Sequence, residues 1–147
     1  MNDQTLNTAH ANRHLQGVVA LKLKRIATVT NGIAGDVDDW SKVRSKLVLE
    51  DQYVDGLYKL GRFDHILVIF GFHRKRKVLM RVHPMHDPTR PLVGVFATRS
   101  PRRPNRMGLT RARLISVRGN TVTVEGLDAY DGSPVYDIKP PVDEIDY

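Results

Sequence analysis

The residues best suited to chemistry lie in positions 94–110, GVFATRSPRRPNRMGLT. Arg99, Arg102, Arg103 and Arg106 stand here with no acid among them, and Asn105 lies in the same loop. Pro101 and Pro104, interleaved with them, fix φ at about −65°. Guanidinium groups form forked, bidentate bonds with phosphate or carboxylate. A loop already stiffened by proline has less entropy to lose when it binds. The stretch is therefore suited to nucleic-acid phosphates or to the carboxylate of an amino-acid-like ligand.

A second stretch, GLDAYDGSPVYDIKPP at 126–141, carries Asp128, Asp131 and Asp137 with Lys139 nearby. Within it Asp131, Gly132, Ser133 and Pro134 read as a tight turn: Asp initiates, Gly accepts an unusual φ, and Pro ends strand pairing. Turn formation alone accounts for those four residues. Equally, the backbone amides of such a turn can bind a ligand's polar edge, and a carboxylate can hold a ribose hydroxyl or an ammonium. A third candidate, His83-Pro84-Met85-His86-Asp87, contains metal-ligand types. Pro84 and Pro88 preclude a regular helix that would align the two imidazoles, and no third cluster accompanies them, so a proline-stiffened loop and no metal site are expected.

Other chemistries are excluded by what is missing. The sequence has no cysteine, which removes thiol nucleophiles, thiolate zinc sites, iron–sulfur clusters and disulfides. It has no G-x-G-x-x-G, no Walker lysine loop and no G-x-S-x-G. A nucleotide-like cofactor would have to bind outside the usual Rossmann setting.

The elements that must position these loops read mainly as strands. Residues 17–26, 46–50, 65–72, 77–82, 92–98, 109–117 and 121–125 are β-branched or alternating. Gly119-Asn120 joins the last two as a hairpin. Tyr53, Leu57 and Leu60 recur at three- and four-residue spacing, which predicts a short helix over 51–61 stopped by Gly61. An all-β, β-rich barrel with one or two short helices is the expected fold. The 147 residues suffice for one domain, expected at 17–147, behind a flexible lead-in at 1–16 that shows no periodicity.

Charge is unevenly placed along that domain. The chain carries 23 Lys+Arg against 16 Asp+Glu, a formal net charge of +7. Between Arg74 and Arg113 twelve basic residues face one acid, Asp87, whereas from Glu125 onward seven acids face Lys139 alone. Two electrostatically distinct faces are one outcome of that layout, and mutual neutralisation across the fold is the other. The longest apolar run, Ile66 to Phe72, is too short to span a membrane, and no secretory signal is visible. A soluble, cytoplasmic protein without a membrane partner is expected.

The two loops together carry a resemblance. GVFATRSPRRPNRMGLT followed by GLDAYDGSPVYDIKPP closely resembles the TsaA-like family of TrmO-type, S-adenosylmethionine-dependent tRNA methyltransferases. FDHILVIFGFH at 63–73 is similar to the family's F-S-H-[IL]-x-V-L-F-x-F-H, with Asp64 for serine, and Arg106 stands where the family usually has proline. The N-terminal third departs further: GVVALK replaces I-G-x-[IV]-R-S-P, and no P-R-Q segment follows. The resemblance implies a homodimeric β-barrel that binds S-adenosyl-L-methionine. It places His73, Arg74, Arg99, Ser100, Leu127, Asp131, Gly132, Ser133 and Pro134 at the cofactor. Arg99 would pair with the cofactor's carboxylate or steady the Asp-rich turn. Arg102, Arg103, Asn105 and Arg106, with the basic cluster at 74–77, would meet tRNA. The implied reaction is methylation of the exocyclic nitrogen of threonylcarbamoyl-adenosine next to the anticodon. The alternatives are a paralogue with another acceptor, or a non-catalytic cofactor- or RNA-binding barrel.

Overall fold

The computed structural model describes residues 20–74 and 76–145. The strands are β1 (Ala27–Thr30), β2 (Arg44–Leu49), β3 (His65–Gly71), β4 (Arg81–Val82), β5 (Val93–Gly94), β6 (Met107–Arg118), β7 (Thr121–Glu125) and β8 (Pro134–Lys139). Six of them close a barrel in the order β1-β2-β7-β6-β3-β8, with every neighbouring pair antiparallel, while β4 and β5 form a separate small hairpin. Period-two alternation builds the wall. In β2, Ser45, Leu47 and Leu49 are buried between exposed Arg44 and Lys46, and in β7 Val122 and Val124 point inward. Leu47, Ile66, Val68, Phe70, Val122 and Val135 fill the interior.

Closure removes sheet edges that would otherwise pair with other chains. The seam is short, Ala27 opposite Val135 and Thr28 opposite Pro134. Bulges between Ile69 and Phe70 against β8, and between Leu114 and Ser116 against β7, shift the register there; such bulges supply the extra twist a small barrel needs. The β6–β7 hairpin turns at Gly119-Asn120 as expected, with Gly119 at φ +58°, a left-handed value that glycine adopts at little cost.

The expected barrel is present, but several elements differ in detail. The segment 51–61 forms two 3₁₀ turns, Asp51–Leu57 and Leu60–Arg62, with Lys59 left-handed between them (φ +62°), so Gly61 does not stop a helix. Leu57 still reaches the core, and Tyr53 and Leu60 pack against it; the apolar spacing was satisfied by a tighter coil over too few residues to sustain an α-helix. The strand expected over 17–26 begins instead at Ala27, the first position of the buried–exposed alternation; residues 17–19 lie outside the described residues, as does the lead-in at 1–16. Only Arg81–Val82 and Val93–Gly94 pair in the two stretches expected as longer strands, and Val95–Ala97 coils into a 3₁₀ turn. Pro134 opens β8 rather than ending pairing, since the first residue of a strand can lack its N–H. No helix among the described residues is long and apolar enough to cross a membrane.

Candidate active site

β3 and β6 bring the upstream motif and the arginine loop together. Phe70 lies opposite Gly108 and Gly71 opposite Met107, and the Phe72 amide donates to the Arg106 carbonyl at 2.8 Å. The Phe70 ring rests on bare backbone: a Cβ on Gly108 would stand 2.4 Å from Phe70 Cζ. Phe72 meets Phe70 edge to face, with centroids 5.4 Å apart. Three hollows adjoin at Phe72. The first is lined by Phe70, Thr98, Arg99, Arg103, Thr110 and Asp128. The second holds His73, Arg74, Asp128, Tyr130 and Ser133, with a cavity of about 160 Å³. The third holds Gly71, His73, Asn105, Arg106, Pro134 and Tyr136. Asp128 borders the first two, and His73 borders the second and third.

The turn at Asp131 is held from a place the sequence reading did not use. The Asp131 carboxylate accepts the amides of Asn31 (2.8 Å) and Gly32 (2.9 Å) in the loop after β1. Those two bonds, Gly32 the stronger, pull its carboxyl below the usual carboxylate value of 3.8. The Asn31 side chain donates to Ser45 Oγ and to the Ala129 carbonyl, fixing the loop to the barrel. The turn's own amides are used internally: Asp131 donates to Ile33 O, Gly132 to Val29 O and Ser133 to Tyr130 O. Contrary to the ligand-binding role the sequence left open for them, these amides are therefore not free to read a ligand's polar edge; the carbonyls of Asp131 and Gly132 take part in none of these bonds. Arg99 does not steady this turn. The Asn-Gly pair at 31–32 was the available sequence signal, being a turn dipeptide just after a strand.

Each remaining candidate has a defined place. Arg74 stacks on Tyr130, 3.8 Å from the ring centroid, and donates to the Ala34 carbonyl, while Trp40 meets the same ring edge-on. Arg99 is exposed, makes a long bond of 3.4 Å to the Leu109 carbonyl, and lines the first hollow. Arg103 turns inward. It donates to the carbonyls of Thr98 (3.0 Å) and Ser100 (3.2 Å) and lies over Phe96. Arg102 reaches back to Lys77 O at 3.5 Å, whereas Arg106 and Asn105 are exposed. Leu127 is fully buried in the core, so only its backbone could touch a ligand. Ser100 borders a separate shallow hollow beside His83 and His86. There His83 Nδ1 lies 2.8 Å from Arg90 O and Asp87 accepts from Thr89 N and Oγ1, which ties that stretch to itself as a turn. Lys75 lies outside the described residues.

The TrmO_N family model, the tRNA-methyltransferase O N-terminal domain, matches residues 28–147. An S-adenosyl-L-methionine-binding protein of Archaeoglobus fulgidus is 40% identical over 107 residues, which covers 73% of this chain and 76% of that protein. The tRNA (adenine(37)-N6)-methyltransferase of Mus musculus is 37% identical over 108 residues, 71% of this chain and 24% of that one. The crystal structure of TrmO from Pseudomonas aeruginosa matches with a TM-score of 0.70 and 26% identity, over 87% of this chain and 58% of its own. The chain thus spans less than two thirds of that solved TrmO and about a quarter of the mouse enzyme. In sequence and in barrel topology alike, the chain belongs to the TrmO family, matching its N-terminal domain.

Proposed function

We propose that this chain binds S-adenosyl-L-methionine in the first two hollows and transfers its methyl group to a tRNA nucleotide presented from the third. The observation that carries this reading is the convergence at Phe72. On one side Arg99, Asp128, Tyr130 and Ser133 line a cleft, and on the other Asn105 and Arg106 stand exposed. The donor set fits the cofactor. Arg99 answers a carboxylate and Asp128 an ammonium. Phe72 and Tyr130, both partly exposed, offer rings beside a sulfonium or a purine. Bound S-adenosylmethionine carries an already activated methyl carbon, so the chain's part is to orient the acceptor and exclude water. The finer reading is transfer to the exocyclic nitrogen of threonylcarbamoyl-adenosine beside the anticodon. A homodimer is proposed with it; Met80, Met85, Leu92 and Phe96, all strongly exposed around the β4–β5 hairpin, support one.

Calorimetric titration with S-adenosylmethionine, followed by mass analysis of nucleosides from tRNA incubated with protein and cofactor, tests the reading. Binding heat and a one-methyl increase on the threonylcarbamoyl-adenosine nucleoside are expected. Heat without a mass increase on any tRNA would leave a binding module, and neither signal would overturn the assignment.

A further inference from the structure

Ser133 has one hydroxyl proton and two neighbours for it. Its Oγ stands 2.7 Å from the Tyr130 carbonyl oxygen and 3.2 Å from His73 Nδ1. A carbonyl oxygen can only accept, so the shorter contact takes the proton and Ser133 faces His73 as an acceptor. Nδ1 must then carry hydrogen. Ser133 is only 2% exposed, so water does not compete for its hydroxyl. In the neutral ring the lone pair is thereby fixed on Nε2. Among the described residues nothing is bonded to Nε2. Its neighbour is Gly132, where even an added Cβ would remain 3.9 Å away. His73 also forms part of the wall between the hollow that contains Ser133 and Tyr130 and the one that contains Asn105 and Arg106.

We propose that His73 Nε2 is the proton acceptor of the methyl transfer. This rests on the functional reading above and adds a chemical role to a residue expected only to touch the cofactor. An exocyclic nitrogen conjugated to a purine is a weak nucleophile with a proton to lose, so a base positioned between the two hollows meets a specific need. Bound S-adenosylmethionine supplies a methyl carbon whose bond to sulfur breaks, the electron pair leaving on sulfur as a neutral thioether. The acceptor nitrogen forms the new carbon–nitrogen bond, and the proton it sheds moves to His73 Nε2. Ser133 accepts from Nδ1 throughout, so the ring keeps its orientation in both charge states. His73 then returns the proton to solvent at its exposed edge.

The tautomer can be read without cofactor or activity. Nitrogen–proton correlation NMR on histidine-labelled protein, with His73 assigned by its loss in His73→Gln, should show Nδ1 protonated and Nε2 bare. At saturating cofactor and tRNA, the single-turnover rate of His73→Gln should fall on the order of 10²–10⁴-fold. Added imidazole should restore part of the rate to His73→Ala. A proton on Nε2 in the free protein, or a variant rate equal to the parent's, overturns the proposal while the functional reading stands. A parent protein with neither binding heat nor methyl transfer removes that reading and this proposal with it.

Discussion

Asp131 is exposed, yet its carboxylate accepts the amides of Asn31 and Gly32 and so joins the turn at 131–134 to the loop after β1. Its carboxyl is lowered from 3.8, first by the Gly32 amide and then by that of Asn31. A carboxyl lowered in the folded state stabilises the fold fully above its unfolded value, and that stability is lost as pH falls through the lowered value. The urea midpoint should therefore decline on acidification below about pH 4. In Asp131→Asn the midpoint should be lower at neutral pH and flatter across the acid range. An identical acid slope in variant and parent would remove the bridge from this account. Asp131 thus acts through geometry: it sets where Gly132 and Ser133 stand, and through Ser133 how His73 is held.

The arginine loop divides its cations between those tied into the fold and those left exposed. Arg103, half-buried, ties the carbonyls of Thr98 and Ser100 across the loop's base through Nη1, while its planar guanidinium lies over Phe96, a placement that lysine's compact ammonium does not reproduce. The two prolines and the Val95–Ala97 turn complete the support. Arg106 is exposed beside the third hollow and available to a phosphate. Arg106→Ala should weaken tRNA binding and reduce the slope of log affinity against log salt by about 0.7–0.9, the loss of one phosphate contact. Arg103→Lys should instead leave the slope nearly unchanged while raising amide exchange over residues 98–106. If Arg103→Lys lowered the slope as much as Arg106→Ala, Arg103 would be a phosphate contact after all.

Across the whole barrel, both layouts open to the charged segments occur in different places. On the outer wall acids and bases neutralise: Glu125 bridges Arg44 and Arg113, and Asp143 pairs with Arg111. Around the site Arg74, Arg76, Arg99, Arg102, Arg103 and Arg106 have no ion pair among the described residues, so the positive field is concentrated where a polyanion would dock. The same end of the molecule exposes apolar surface, with Met85 82% and Phe96 71% accessible. Side chains of this size around one hairpin fit an interface between copies. Sedimentation should find a dimer, and Phe96→Glu should shift it toward monomer without loss of barrel circular dichroism. A parent that sediments as monomer at all accessible concentrations would withdraw the dimer.

Period-two alternation made β7 legible and short β-branched or apolar runs made β2, β3 and β6 legible, because burial of a strand stamps itself directly on the local residue pattern. Both motif loops and the basic concentration were legible for a similar reason: arginine, proline and glycine at close spacing are local facts. The 3₁₀ coil at 51–57, the strand role of Pro134 and the late start of β1 were not, since pairing partners and closure decide them from far along the chain. The same holds within the site. Four arginines look alike in a string, and only packing turns Arg103 inward and leaves Arg106 outward. Asn31 and Asp131 are joined by barrel closure across 100 residues. Local composition thus determined which chemistry the chain carries, and tertiary structure decided which atoms are free to perform it, because a hydrogen bond once made within the fold cannot also be offered to a ligand.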